Sequence, residues 1–241
     1  MKRTLIALSV LTGISFGAMA EEPAQDFFEP GRVDVMAGLN TQEGETGYFV
    51  SGQWNISQYA ALGLAVDSYT SRNSYPAAAF TDSALFASRS FRPRHTTYSL
   101  SGTARYPFSL GDESYAAPFL TVGFNQMSTE DVEIGDGSGD DNDDSGSDNQ
   151  NVLTLSFADL DAFSLHAGVQ WQIDKKHLLG AGFVAYSLDD DWSELSLEDQ
   201  YEGGFLNYRY QYTPLLGFTA GVETVNIFGD ANARMGATFS F

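Results

Sequence analysis

The chain has 241 residues, no cysteine, and 32 acidic against 12 basic residues, for a formal net charge of -20. The missing cysteine excludes disulfides, zinc-thiolate sites and thiol catalysis, and the negative charge argues against nucleic acid as a partner. After Ala20 no apolar run approaches the roughly 20 residues that a membrane-spanning helix needs, which excludes a helical membrane protein.

Residues 1–20 read as a cleaved export signal. Lys2 and Arg3 give a basic start, Thr4 to Gly17 a mostly apolar stretch, and Ala18-Met19-Ala20 a small-x-small cleavage site. Residues 21–241 are then expected to form one domain.

From there the pattern is period-2 alternation in segments of about ten residues. Val33, Val35, Ala37 and Leu39 alternate with Arg32, Asp34, Met36 and Gly38, and Tyr48, Val50, Gly52, Trp54 and Ile56 with Phe49, Ser51, Gln53 and Asn55. Ala60 to Asp67, Tyr98 to Tyr106 and Leu120 to Phe124 continue it. Phe163 to Ile173 follows, with Ser164, His166, Gly168, Gln170 and Gln172 on its polar parity. Leu179 to Ser187, Leu206 to Tyr212 and Leu216 to Thr224 come next, and Ala233, Met235, Ala237, Phe239 and Phe241 close the chain opposite Asn232, Arg234, Gly236, Thr238 and Ser240. One face suits lipid and the other water.

The connections alternate in length. Short ones are expected at 57–59, 107–115, 174–177 and 213–215, and mostly longer ones at 41–47, 70–96, 127–162, 188–203 and 226–230. The fold class this predicts is all-β, a closed antiparallel transmembrane β-barrel of ten strands, with eight or twelve as the alternatives if one hairpin is misassigned. Closure follows because an open sheet edge in hydrocarbon leaves backbone donors and acceptors unpaired. Leu153, Leu155 and Phe157 are expected to prolong the sixth strand outward. Trp54, Tyr59, Tyr69, Tyr106, Trp171, Tyr208, Tyr212, Phe239 and Phe241 fall toward strand ends, where rings sit at a lipid interface. A soluble β-sandwich or lipocalin-like barrel also alternates, but gives the export signal and the aromatic strand ends no shared cause.

The ending Met235-Gly236-Ala237-Thr238-Phe239-Ser240-Phe241 resembles the terminal signature of small bacterial outer-membrane β-barrel proteins, the class of OmpA-like and porin-like barrels. Ala104-Arg105-Tyr106-Pro107 is similar to the way strands of such barrels finish at the periplasmic interface, where proline is tolerated because it need not donate to the ladder. The resemblance implies a bacterial outer-membrane location, with outer-membrane lipid around the barrel and assembly by the barrel-assembly machinery. It implies no activity. The chain is expected to be a monomer, and its negative charge makes divalent cations and the metal-bridged lipopolysaccharide surface its expected surroundings.

The basic residues outside the signal divide among the lumen parity (Arg32, Arg105, Arg209, Arg234), the second long loop (Arg72, Arg89, Arg92, Arg94) and a periplasmic turn (Lys175, Lys176). The lumen parity also carries Asp34, Asp67, His166 and Glu223. These eight residues are the candidate site, either as the fixed charge of a narrow porin-like channel for small solutes or as an internal network that closes a narrow barrel.

Half of the acids sit in two outer segments, Glu130 to Asp148 and Asp189 to Glu202. Asp140, Asn142 and Asp144 have the alternate spacing that opens a calcium loop, but Ser145 stands where that loop needs glycine and Asn151 where it needs glutamate. The expectation is a solvated acidic loop with at most loosely bound calcium, and no other cofactor. The three histidines, His95, His166 and His177, spell out no triad, and an omptin-like protease is supported only by the proximity of His95 to loop acids. The chain is therefore expected not to be an enzyme. The readings that remain are the channel and a non-conducting structural or adhesion-type surface barrel.

Overall fold

The computed structural model describes residues 26–42, 45–70, 75–76, 90–135, 152–157, 159–188, 200–225 and 231–241. Ten long strands form one closed antiparallel wall. They are β1 (Val33–Gln42), β2 (Glu45–Ser57), β3 (Ala60–Thr70), β6 (Arg94–Arg105) and β8 (Ser114–Thr129), then β11 (Leu160–Ile173), β12 (His177–Leu188), β13 (Gln200–Gln211), β14 (Leu216–Glu223) and β15 (Asn232–Ser240). Five short strands are appended: β4 (Tyr75–Pro76), β5 (Ser90–Phe91), β7 (Phe108–Gly111), β9 (Val132–Gly135) and β10 (Val152–Leu155). β15 pairs with β1 from Asp34↔Ser240 to Gln42↔Asn232 and closes the wall, so no long strand keeps an unpaired edge.

The alternation in the sequence becomes the two faces of this wall. Leu39, Tyr48, Val50, Trp54, Leu64, Leu100, Met235 and Phe239 are exposed outward. Asp34, Asn40, Asn55, Arg105, Asn125, Ser164 and Thr238 are buried inward. Outward neighbours meet across strands, as at Leu64↔Leu100 and Phe163↔Phe124, whose rings pack edge to face at 5.6 Å. A water-soluble protein would lose stability by exposing such a belt, whereas a bilayer needs one. Leu64, 64% exposed and far from either strand end, reports on this directly. Leu64→Arg is expected to destabilise the barrel in a bilayer by about 2 to 4 kcal/mol, measured as the shift in its urea unfolding midpoint, while a change near zero would mean that this face does not contact hydrocarbon.

Two glycine pairs let the inner side of so narrow a wall close up. Gly38 faces Gly236 across β1 and β15, and Gly168 faces Gly182 across β11 and β12. A Cβ at Gly38 would run into the carbonyl of Met235 and the Cα of Gly236.

Several boundaries differ from the sequence expectation. β6 begins at Arg94, β8 runs to Thr129, β11 begins at Leu160 and β13 at Gln200, so the strands reach further into the expected outer loops. The apolar Leu153 and Leu155 lie on β10, which pairs with β9 in a separate two-stranded sheet beyond the wall and packs with Ile134 and Phe91. The connection 107–115 is a hairpin arm rather than a plain turn, because β7 pairs back onto β8 after the break at Pro107. Tyr69, expected at the lipid interface, instead points inward, buried, with its ring 5.4 Å from that of His95. Arg94 belongs to a strand, not a loop. It points outward at the strand's outer end, where its Nη2 donates to Tyr48 Oη at 2.9 Å. Arg72 and Arg89 lie outside the described residues.

Candidate functional site: a plugged lumen

The periplasmic end of the lumen is filled by a segment to which the sequence pattern assigned no structure. Residues Asp26–Phe28 form a single 3-10 turn, and Phe27 and Phe28 are 2% and 0% exposed inside the barrel. The chain reverses at Glu29-Pro30-Gly31-Arg32, where Arg32 N donates to Glu29 O at 3.3 Å and Gly31 has φ of 85°. Proline at the second position and a positive-φ glycine at the third are what a type II turn requires. Gly31 N and Asn55 O, then Asn55 N and Arg32 O, join the reversal to β2. Asn55 Nδ2 donates to the carbonyls of Phe27 (2.9 Å) and Glu29 (3.2 Å), which ties the aromatic pair to the wall.

Arginine planes then cover the two rings. Arg32 lies 5.1 Å and Arg209 6.0 Å from the centre of Phe27, and Arg105 lies 4.8 Å from the centre of Phe28. Asp34, 1% exposed, accepts from Arg32 Nε at 2.9 Å, from Arg209 Nη1 at 2.6 Å and from Ser240 Oγ at 2.7 Å. Arg105 donates from Nε to Gln58 O at 3.0 Å and from Nη2 to Asn55 Oδ1 at 2.8 Å.

Nearer the outer end lies a second polar group. Arg234 pairs with Asp67 at 3.2 Å, and Asp67 also accepts from Asn40 Nδ2 at 3.2 Å. Glu223 is 3.5 Å from His166 Nε2 and accepts from the Tyr186 hydroxyl at 3.2 Å. Against this group Met127, Leu160, Val184, Leu188 and Phe205 form a buried apolar cluster on the inner face. The sequence expectation of a mostly polar interior missed Val184 and Leu188 because β12 is apolar on both parities, and Met127, Leu160 and Phe205 because they lie outside the expected strand segments.

All eight residues of the expected lumen cluster thus face inward. The structure divides them into a periplasmic group (Arg32, Asp34, Arg105, Arg209) and an outer group (Asp67, His166, Glu223, Arg234). Between the groups lies a cavity of about 230 Å³. Of the other histidines, His95 Nδ1 is 2.9 Å from Thr129 Oγ1 near the outer rim, and His177 Nδ1 is 2.7 Å from Tyr208 Oη at the periplasmic end. The possible cation loop, Asp140, Asn142 and Asp144, lies outside the described residues, as does the expected export signal. Among the described residues no group of three or more His, Cys, Asp or Glu side chains could hold a metal ion.

No protein-family model and no curated protein matches the sequence. Solved structures match in shape. The N-terminal β-barrel domain of Pseudomonas aeruginosa OprF is 11% identical, with 88% of this chain and 98% of that one covered and a TM-score of 0.39. The outer membrane protein OprG of the same organism is 6% identical, with 91% and 99% covered and a TM-score of 0.41. Ail, the attachment invasion locus protein of Yersinia pestis, is 10% identical, with 88% and 99% covered and a TM-score of 0.33. The chain is a small β-barrel of the outer-membrane type. That statement rests on its own strand pairing and its apolar outer belt.

Proposed function

We propose that the chain is a non-conducting barrel of the bacterial outer membrane, exported by residues 1–20, that acts at the cell surface through the segments joining its outer strand ends. The observation that carries this reading is the Phe27-Phe28 plug, buried in the lumen and held by Asn55 and three arginines. With the inner charges gathered into hydrogen-bonded groups and an apolar cluster beside them, the geometry favours the closed barrel over the channel.

The surface role rests on charge. Fifteen of the 32 acidic residues fall within 130–148 and 189–199, in the connections from β8 to β11 and from β12 to β13 on the side away from the termini. Such density recruits cations, and the partner that fits is the divalent-cation-bridged phosphate layer of lipopolysaccharide.

Single-channel recording of the refolded protein in a planar bilayer tests the closed lumen. Silence from a verifiably folded barrel is expected, and steady conductance would return the lumen arginines to the role of a selectivity filter. Replacing residues 136–150 by a short neutral linker tests the surface role. Calcium-dependent retention of lipopolysaccharide is expected to fall while the barrel still folds, and unchanged retention would remove that segment from the reading.

A further inference from the structure

Among the described residues, Arg105 and Arg209 carry more positive charge than the carboxylate beside them neutralises. Within that set they face a single buried carboxylate, Asp34, whose two oxygens are already engaged by Arg32, Arg209 and Ser240. Arg105 is 2% exposed, and among the four lumen arginines it alone makes no ion pair within the described residues. Its hydrogen bonds to protein come from Nε and Nη2, to the neutral acceptors Gln58 O and Asn55 Oδ1, which leaves Nη1 over. Arg209 is similarly underused: Nη1 binds Asp34, but Nη2 finds only the thioether of Met36 at 3.2 Å, a weak acceptor. Arg105, Arg209 and Met36 all line the cavity of about 230 Å³, and so does Arg234, whose buried Nε has no acceptor among the described residues.

A buried guanidinium without a counterion is strongly disfavoured, and the ring of Phe28 offsets only part of that cost. The cavity has room for what is missing, since at about 30 Å³ per water it would hold roughly seven. We propose that this cavity is a binding site for one small oxyanion, of the phosphate or carboxylate class, held by Arg105 and Arg209 above the aromatic plug. The planar donors of guanidinium match an oxyanion edge, and two arginines approaching one cavity carry positive charge that Asp34 alone does not neutralise. The anion completes the cap on Phe27 and Phe28 and so stabilises the plugged state.

The test uses inorganic phosphate as probe and the full barrel refolded in its presence, so that entry to the cavity is not limiting. Ionic strength is held constant with lactobionate, a disaccharide acid too large for the cavity. The thermal unfolding midpoint is expected to rise saturably with phosphate. Arg105→Gln is expected to weaken the apparent affinity by about tenfold or more, as loss of a charged hydrogen-bond partner does, and Arg94→Gln at the outer rim is expected to leave it unchanged. Met36→Glu would place a carboxylate of similar size beside Arg209. That variant is expected to fold and to lose the phosphate response, and it stands in for Arg105→Gln should the latter not assemble. A midpoint that does not saturate with phosphate, or a response that survives Met36→Glu, would overturn the site.

Discussion

Replacing Phe27 and Phe28 together by alanine is expected to turn a silent barrel into a conducting one. Both rings are buried in the periplasmic end of the lumen, against Ala117, Leu178 and the faces of three arginines. Truncating a buried phenylalanine typically costs about 3 to 5 kcal/mol, and here the loss falls on a segment that one 3-10 turn and a few hydrogen bonds hold in place. The wall has its own continuous ladder and does not need the plug for closure. The double variant should therefore still assemble, with Arg32, Arg105 and Arg209 uncovered along a water-filled path. Planar-bilayer recording should show openings absent from the parent protein, and the exposed positive charge should make them anion-selective. A folded double variant that stays silent would mean that the outer polar group and the apolar cluster around Val184 and Phe205 close the lumen without the plug.

The wall was legible in the sequence because a strand of ten residues repeats its two faces five times, and lipid on one side punishes every misplaced charge. Val33 to Leu39 against Arg32 to Gly38 already carried the two faces that β1 shows. The plug was illegible for the opposite reason. Residues 26–32 contain one short turn and one reversal, too few residues for any periodicity. What could have flagged it is chemical: two adjacent phenylalanines followed by Pro30-Gly31, too apolar for a solvated tail and placed just ahead of the first strand. Val184 and Leu188 of the inward apolar cluster escaped because Leu178 to Leu188 is hydrophobic on both parities, so alternation gives no contrast there. Met127, Leu160 and Phe205 escaped because their strands run beyond the expected ends. Parity placed each lumen charge but could not name its partner. Asp34 and Arg209 lie 175 positions apart and meet only because ten strands close.

That meeting yields the other large expected effect. Asp34→Asn keeps the shape of the side chain but removes the negative charge that bridges Arg32 and Arg209. Two guanidiniums would then face each other across a neutral amide, with Arg105 near by. Removing one partner of a buried ion pair costs about 3 to 5 kcal/mol, chiefly because the remaining charge is stranded. Urea unfolding of the refolded variant is expected to show a loss of that size. The exposed pair of Lys175 with Glu113, at 3.3 Å on a turn, supplies the contrast, since Glu113→Gln should cost about 1 kcal/mol or less. Adding Arg209→Met to Asp34→Asn should recover part of the stability, because it removes a stranded charge and leaves an apolar side chain beside Met36 and Phe27. If Asp34→Asn costs no more than Glu113→Gln, the carboxylate is not neutralising the arginines in the folded barrel. Some other anion would then have to do so, and the two outcomes separate when the measurement is repeated with and without phosphate.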